Sequence, residues 1–243
     1  IWTEGMFLQP QHFQQHDRYI LSQELQRSAA QQPYGWGFLS LSIDSAALNL
    51  GKIALNAAQG LMPDGVAFDI PGQDAAPAAL DVPPDVREEL VVLALALQRP
   101  GVAESDAEGD AGSMPPRYMA AEVDVGDTNV TGERMAPLQI GRLHLRVMLA
   151  RDALEGYATL ALCRVVERRA DNKLVLDTAF IPPTLHSGGN EILASYLREA
   201  PGLLHQRGEA LAARLAQPGR AGVGEISDFL LLEAINRHEP LLA

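Results

Sequence analysis

The chain opens on an apolar stretch and then turns polar. Trp2, Met6, Phe7, Leu8 and Phe13 stand in a segment too short to bury them by itself. Pro10 has φ preset for the first turn of a helix and lacks an amide that a helix start leaves unpaired anyway. Beyond it Phe13, Ile20 and Leu21 stand among Gln, His, Asp and Arg, which predicts a polar helix over 10–32. Pro33 closes that helix, because the residue before a proline disfavours helical backbone. The segment therefore reads as an extended arm, freed at Gly5, that leads into a helix. Exposed aromatics on such an arm call for a surface to lie on, its own domain or a partner.

The period then falls from helical to two. Tyr34, Trp36 and Phe38 share one side, and Leu39, Leu41 and Ile43 the other after a slip. Asp44 heads one helical turn, and 52–56 reads as a strand. In 61–66, Pro63 presets φ and Gly65 supplies a position with φ > 0, so a tight turn is expected before a short strand at 66–70. Residues 71–85, rich in Pro, Ala and Asp, read as a loop. The unbroken apolar run 90–97 predicts a central strand buried on both faces. Residues 101–116 carry Gly, Ala, Pro and acids and predict a mobile surface loop. Alternation resumes over 117–127. It continues through 138–149, read as one long strand with 157–169 as its partner, and Asp171-Asn172 turns the chain into 174–177.

At 180–183 the strand signal ends. Asn190 can cap a helix in which Ile192, Leu193, Tyr196, Leu197, Leu203, Leu204, Leu211 and Leu215 recur at helical spacing, with a break or kink expected at Pro201-Gly202. Pro218-Gly219 stops it, and 226–235 predicts a second helix, apolar nearly all round. Helices over 190–217 and 225–239 would form a hairpin that lacks mates. That predicts a bundle completed by further sequence or by further copies of the chain.

Composition narrows the function. The net charge is −12 over 243 residues, and residues 1–136 hold the whole excess, with 19 acids against 7 bases; residues 137–243 carry 12 of each. Nucleic acid is a poor partner for such a surface, since phosphate contacts need clustered Lys and Arg. The single cysteine, Cys163, lies in an apolar run, excludes an internal disulfide and reads as a buried core residue. No apolar run approaches the ~20 residues of a membrane span. No basic segment followed by an apolar run opens the chain, so no signal peptide is expected, and Ile at position 1 suggests a trimmed start.

Candidate chemistry is sparse. His12 and His16 have the i, i+4 spacing of a zinc pair, but Phe13 stands where a zinc protease places its glutamate, and no third ligand is evident. His144, His186, His205 and His238 share no spacing. No G-x-S-x-G elbow is present, and the Gly-rich 219–224 lacks the Lys-Ser/Thr of a P-loop. The acids at 104, 106, 108 and 110 lack the pattern of a calcium loop. Arg164, Arg168, Arg169 and Lys173 crowd one hairpin, either as a small basic patch or as an ordinary exposed tip. No metal, cofactor or catalytic residue is assigned. The pattern is that of an assembly component, not an enzyme.

The opening motif Trp2-Thr-Glu-Gly-Met-Phe-Leu-Gln-Pro-Gln-His-Phe-Gln-Gln resembles the opening of the TssK family, type VI secretion baseplate subunits also called VasE or ImpJ. Further pieces follow in family order: Tyr34-Gly-Trp-Gly, Leu41-Ser-Ile-Asp44, Gly60-Leu-Met-Pro-Asp-Gly65, Arg117, Phe180-Ile-Pro-Pro183 and Ala234-Ile-Asn236. Family members are longer at both ends, so a few residues before Ile1 and a large C-terminal part are expected to be missing from this sequence.

The resemblance implies a mainly β fold with helices. It comprises an antiparallel β-sandwich like the shoulder of phage receptor-binding proteins, preceded by an N-terminal arm and helix and followed by the helical hairpin of a trimeric neck. The expected divisions are 1–32 for docking, 33–185 for the shoulder and 186–243 for the neck. It further implies a cytoplasmic homotrimer at the inner-membrane-associated baseplate that holds TssF and TssG. A C-terminal head, outside this sequence, would reach the TssJ–TssL–TssM membrane complex. Carried over residue by residue, docking falls on Trp2, Glu4, Gly5, Met6, Phe7, Leu8, Pro10, Gln11, His12 and Phe13. Periodicity places neck trimerisation on Leu193, Leu197, Leu204, Leu211, Ile226, Phe229 and Leu230. Two other readings are a glycan- or receptor-binding module of phage-like origin and a β-sandwich enzyme. The first would need exposed aromatic platforms and convergent polar groups outside the arm, and the second a site constellation; the sequence offers neither.

Overall fold

Pro10 begins helix α1 (Pro10–Gln31), which ends where Gln32 turns extended ahead of Pro33. The computed structural model describes residues 2–99, 101–105, 115–129, 134–153, 155–216 and 223–242, without the side chains of 223–225. Within them the chain divides into two units, Ile1–Leu185 and His186–Ala243.

In the first unit, β1 (Gly37–Ile43), α2 (Ser45–Asn49), β2 (Lys52–Ile53), β3 (Leu55–Leu61) and β4 (Ala67–Ile70) follow α1. β1, β3 and β4 form an antiparallel sheet in the order β1-β3-β4. The slip in β1 is a register shift between Phe38 and Ser40, which leaves Phe38 fully buried and Leu39 exposed. Asp44 caps α2, its carboxylate accepting the Ala46 amide at 2.8 Å. The turn before β4 closes with the Gly65 amide donating to the Met62 carbonyl at 2.8 Å, and Gly65 has φ +81°.

The later strands are β5 (Leu80–Asp81), β6 (Arg87–Ala96), β7 (Tyr118–Gly126), β8 (Met135–Leu143), β9 (Arg146–Leu149), β10 (Tyr157–Arg168) and β11 (Leu174–Leu176), and four of them form a second sheet. Its order is β11-β10-β6-β9, with β2–β5 and β7–β8 as separate pairs. β6 is the central strand expected from the apolar run, and each residue from 91 to 96 is buried.

Three expectations need correction. The segment 138–149 is not one strand: β8 pairs with β7, the chain breaks at His144-Leu145, and β9 pairs with β6. Residues 157–169 are therefore not its partner; β10 lies on the other side of β6. A period of two persists through such a corner because it records which face a residue takes, not which strand lies beside it. The loop 71–85 also contains a short strand, β5, paired with β2. Asp106, Glu108 and Asp110 of the acidic run lie outside the described residues.

The two sheets pack face to face around one core. Phe38, Ala58, Phe68 and Ile70 come from the first sheet, and Val91, Leu93, Leu95, Val147, Leu149, Leu160, Leu162, Cys163 and Val165 from the second. With few aromatics, aliphatic interdigitation fills this sandwich; the exception is the edge-to-face pair Phe38–Phe68, with centroids 5.8 Å apart. The 180–183 segment closes one edge. The Phe38 amide donates to the Pro183 carbonyl at 2.9 Å, and the Leu185 amide returns to the Phe38 carbonyl at 2.9 Å. Gly37 is required there, since a Cβ would stand 2.9 Å from the Pro183 backbone.

The second unit is a helical hairpin of α3 (Glu191–Leu215) and α4 (Val223–Leu242). Asn190 caps α3 by accepting the amides of Ile192 at 3.0 Å and Leu193 at 3.2 Å. α3 runs through Pro201 without a break, so of the break or kink expected at Pro201-Gly202 the break is corrected to a proline inside a continuous helix. The missing proline amide removes one helical bond and leaves the neighbouring turns to hold the segment. The stop expected at Pro218-Gly219 lies outside the described residues. Gly208 lets the helices approach: a Cβ there would lie 3.3 Å from Ile235.

Candidate docking surfaces

The arm is built by one turn. The Met6 amide donates to the Thr3 carbonyl at 3.3 Å, with Gly5 at φ +76° in the position that a type II turn reserves for positive φ. The turn sends Trp2 back along α1, where its ring centroid lies 6.4 Å from those of His12 and Phe13 and 6.1 Å from that of His16. His12 also helps start the helix: the Gln9 amide donates to its Nδ1 at 3.1 Å. The histidine pair is thus engaged by the helix start and by Trp2. Among the described residues no group of three or more His, Cys, Asp or Glu could hold a metal ion.

Phe7 is 83% exposed; Glu4, Leu8, Pro10, Gln11 and Phe13 are exposed too, and Met6 is half-buried. α1 has no buried residue, and Tyr19, Ile20 and Leu21 add to the open apolar surface. The helix is nevertheless held. Arg18 pairs with Glu104 at 3.4 Å, a mostly exposed contact worth about 0–1 kcal/mol. Leu25 sits over the turn at Gly65, so close that a Cβ on Gly65 would be 1.8 Å from Leu25 Cδ2.

That turn is fixed from below by a residue no local pattern could interpret. Arg117 is buried; its guanidinium lies 2.7 Å from Asp64 and donates to the Ala96 carbonyl at the end of β6. Asp74 is the other buried charged residue among those described. It accepts the Leu143 amide at 3.1 Å and the Asp69 amide at 3.1 Å. Sequence reasoning passed over Asp74 because its loop carries no periodicity. Arg117 stood out only as a family motif.

The hairpin basics are largely tied up. Arg168 pairs with Asp81 at 3.0 Å and donates to Val82, Arg169 lies 3.9 Å from Glu167, and Arg164 stacks over Phe180 at 5.8 Å. Cys163 is buried, and burial pushes its thiol up to about 12. In the helical unit, Leu211 is fully buried and Leu193 and Leu204 are half-buried, while Leu197, Ile226, Phe229 and Leu230 are exposed. No described helix is long and apolar enough to cross a membrane.

Comparison with known proteins agrees with this geometry. The model of the T6SS_VasE family, described as bacterial type VI secretion, EvfL, ImpJ and VasE, matches residues 12–243. A curated relative, the type VI secretion system baseplate component TssK1 of Pseudomonas aeruginosa, is 44% identical over 99% of this chain; the chain spans 54% of that relative's length. A crystal structure of TssK superposes with a TM-score of 0.89 at 43% identity, covering 100% of this chain and 55% of that one. A chain of the cryo-electron microscopy structure of the type VI secretion system TssK–TssF–TssG baseplate subcomplex does so at 0.84 and 26% identity, covering 100% of this chain and 78% of that one. With all but the first two residues of α1, the sandwich and the helical hairpin inside the region that the family model matches, the chain belongs to the T6SS_VasE family of bacterial type VI secretion proteins.

Proposed function

We propose that the chain is a non-enzymatic structural adaptor of the type VI secretion baseplate that docks through its arm and the start of α1 onto TssF and TssG. The observation that carries this is the exposed apolar surface at the front of the chain. Phe7, Leu8 and Phe13 are open beside a helix with no buried residue, although the sandwich beneath has a complete core. An arm of this kind loses water contact only when a partner covers it. Similarity to a chain of a TssK–TssF–TssG subcomplex supports the choice of partner. On this reading residues 1–32 dock and 33–185 form the rigid shoulder. Residues 186–243 contribute to a trimeric neck, with Leu193, Leu197, Leu204, Ile226, Phe229 and Leu230 meeting other copies and Leu211 holding the hairpin.

The test is removal of residues 1–16 followed by co-purification with TssF and TssG. The truncated chain should keep the thermal transition of the sandwich and lose the partners. Retention of TssF and TssG by a folded truncation would overturn the proposal.

A further inference from the structure

Gln14, Asp17, Arg18 and Leu21 recur at the i, i+3, i+4, i+7 spacing that puts them on one face of α1. That face lines a groove of about 780 Å³, and no residue of α1 is buried. The opposite wall is the segment after β6, with Val102 and Glu104, and Tyr118 and Gly141 complete the lining. The Tyr118 amide donates to the Glu104 carbonyl at 2.8 Å, which ties that wall to the start of β7. Gly141 lets the Tyr118 side chain lie close to β8, since a Cβ there would stand 3.2 Å from Tyr118 Cβ. Arg18 meets Glu104 across the groove at 3.4 Å and joins the two walls. The groove lies wholly within the first unit.

The lining says what would fill it. Leu21, 48% exposed, and Val102, 57% exposed, are open apolar side chains on opposite walls. Asp17 makes no ion pair among the described residues, and the guanidinium of Arg18 is spent on Glu104. The lining thus holds two carboxylates against one guanidinium, in the half of the chain that carries the whole acidic excess. A surface of this sign selects a basic partner. Gln14 and Leu21 stand about 10 Å apart along the helix, the length of about three extended residues. The occupant that fits is a short stretch of polypeptide with an apolar side chain next to Lys or Arg. Gln14 follows Phe13 directly, so the groove continues the exposed surface of the arm.

We infer that the groove between α1 and residues 101–105 receives a basic, partly apolar segment of the docked TssF or TssG, as a second contact beside the arm. This rests on the docking reading above and adds a site to it. The test is photo-cross-linking of the full chain with purified TssF and TssG. Cys163 is buried, so a benzophenone maleimide on Val102→Cys labels the groove alone. Irradiation should link it to a segment with Lys or Arg beside an apolar residue, and Lys173→Cys on the β10–β11 hairpin should not reach that segment. A label on Val102→Cys that instead blocks binding, where one on Lys173→Cys does not, also supports the inference. Asp17→Arg, with the arm intact, should raise the dissociation constant about tenfold. Partners bound without a link from Val102→Cys, a link to an acidic segment alone, or an unchanged constant for Asp17→Arg would overturn it. The docking reading fails separately, if removal of residues 1–16 leaves TssF and TssG bound. It stands if only the groove variants behave as wild type.

Discussion

The guanidinium of Arg117 lies 2.7 Å from the carboxylate of Asp64, inside the turn that carries Leu25 of α1. Through this pair the end of β6, the turn and the N-terminal helix form one connected support. Removing one partner of a buried pair leaves the other charge uncompensated, which costs about 3 kcal/mol. Arg117→Ala should lower the urea midpoint by that equivalent with an unchanged slope. It should also raise hydrogen exchange in α1 more than in β10.

Gly65 serves α1 twice, through φ +81° and through the absence of a Cβ where Leu25 Cδ2 would be 1.8 Å away. Gly65→Ala adds left-handed backbone strain of about 1 kcal/mol and pushes Leu25 off its seat. The expected result is a modest fall in melting temperature with faster proteolysis within 10–31, while the sandwich keeps its protection. A protease pattern identical to wild type would mean that Leu25 does not anchor the helix.

Asp74 satisfies two backbone amides, those of Asp69 and Leu143, at 3.1 Å each. Asp74→Ala strands both, and each orphaned buried donor costs about 1–3 kcal/mol. Equilibrium denaturation should show a loss near 3 kcal/mol. Asp74→Asn, which keeps one acceptor oxygen, should recover part of it.

Phe7, at 83% exposure, contributes little to the fold. Phe7→Ala should shift stability by less than about 0.5 kcal/mol. On the proposed docking, its loss of affinity for TssF and TssG should reach about 2 kcal/mol, near 30-fold, as for an aromatic anchor. Denaturant unfolding checks the stability side of this contrast, and calorimetric titration with purified TssF and TssG the affinity side.

Burial pushes the Cys163 thiol from 9.0 up to about 12. At pH 8 its thiolate fraction is about a thousandfold below that of the unfolded chain. A thiol reagent should therefore label it only on unfolding. Above pH 9 the unfolded thiol ionises while the folded one holds its proton. The unfolded state then binds fewer protons, and this group's contribution to stability falls as pH rises through that window. Rapid labelling of folded protein at pH 8 would contradict this placement.

Much of the architecture was legible from local pattern. Pro10 and Pro33 bracket α1, the run at 90–97 is central in its sheet, Asp44 and Asn190 cap their helices, and the Gly65 turn is where Pro63 and Gly65 place it. These depend on neighbours within a few residues, where periodicity and backbone preference act. The candidate docking surface was legible in the same way, as apolar side chains too closely spaced for their own segment to cover.

Tertiary structure alone decided the rest. That 138–149 divides between two sheets depends on which strands lie beside it, and a period of two is blind to that. That Leu138 stands opposite Val123 follows only from the register of β7 and β8. Arg117 and Asp64 are 53 residues apart, and Asp74 and Leu143 are 69 apart. The sequence determined which residues seek burial and where the chain turns, because those are local energies. Which buried charge meets which partner is set by packing across the whole sandwich, and no stretch of chain carries that information by itself.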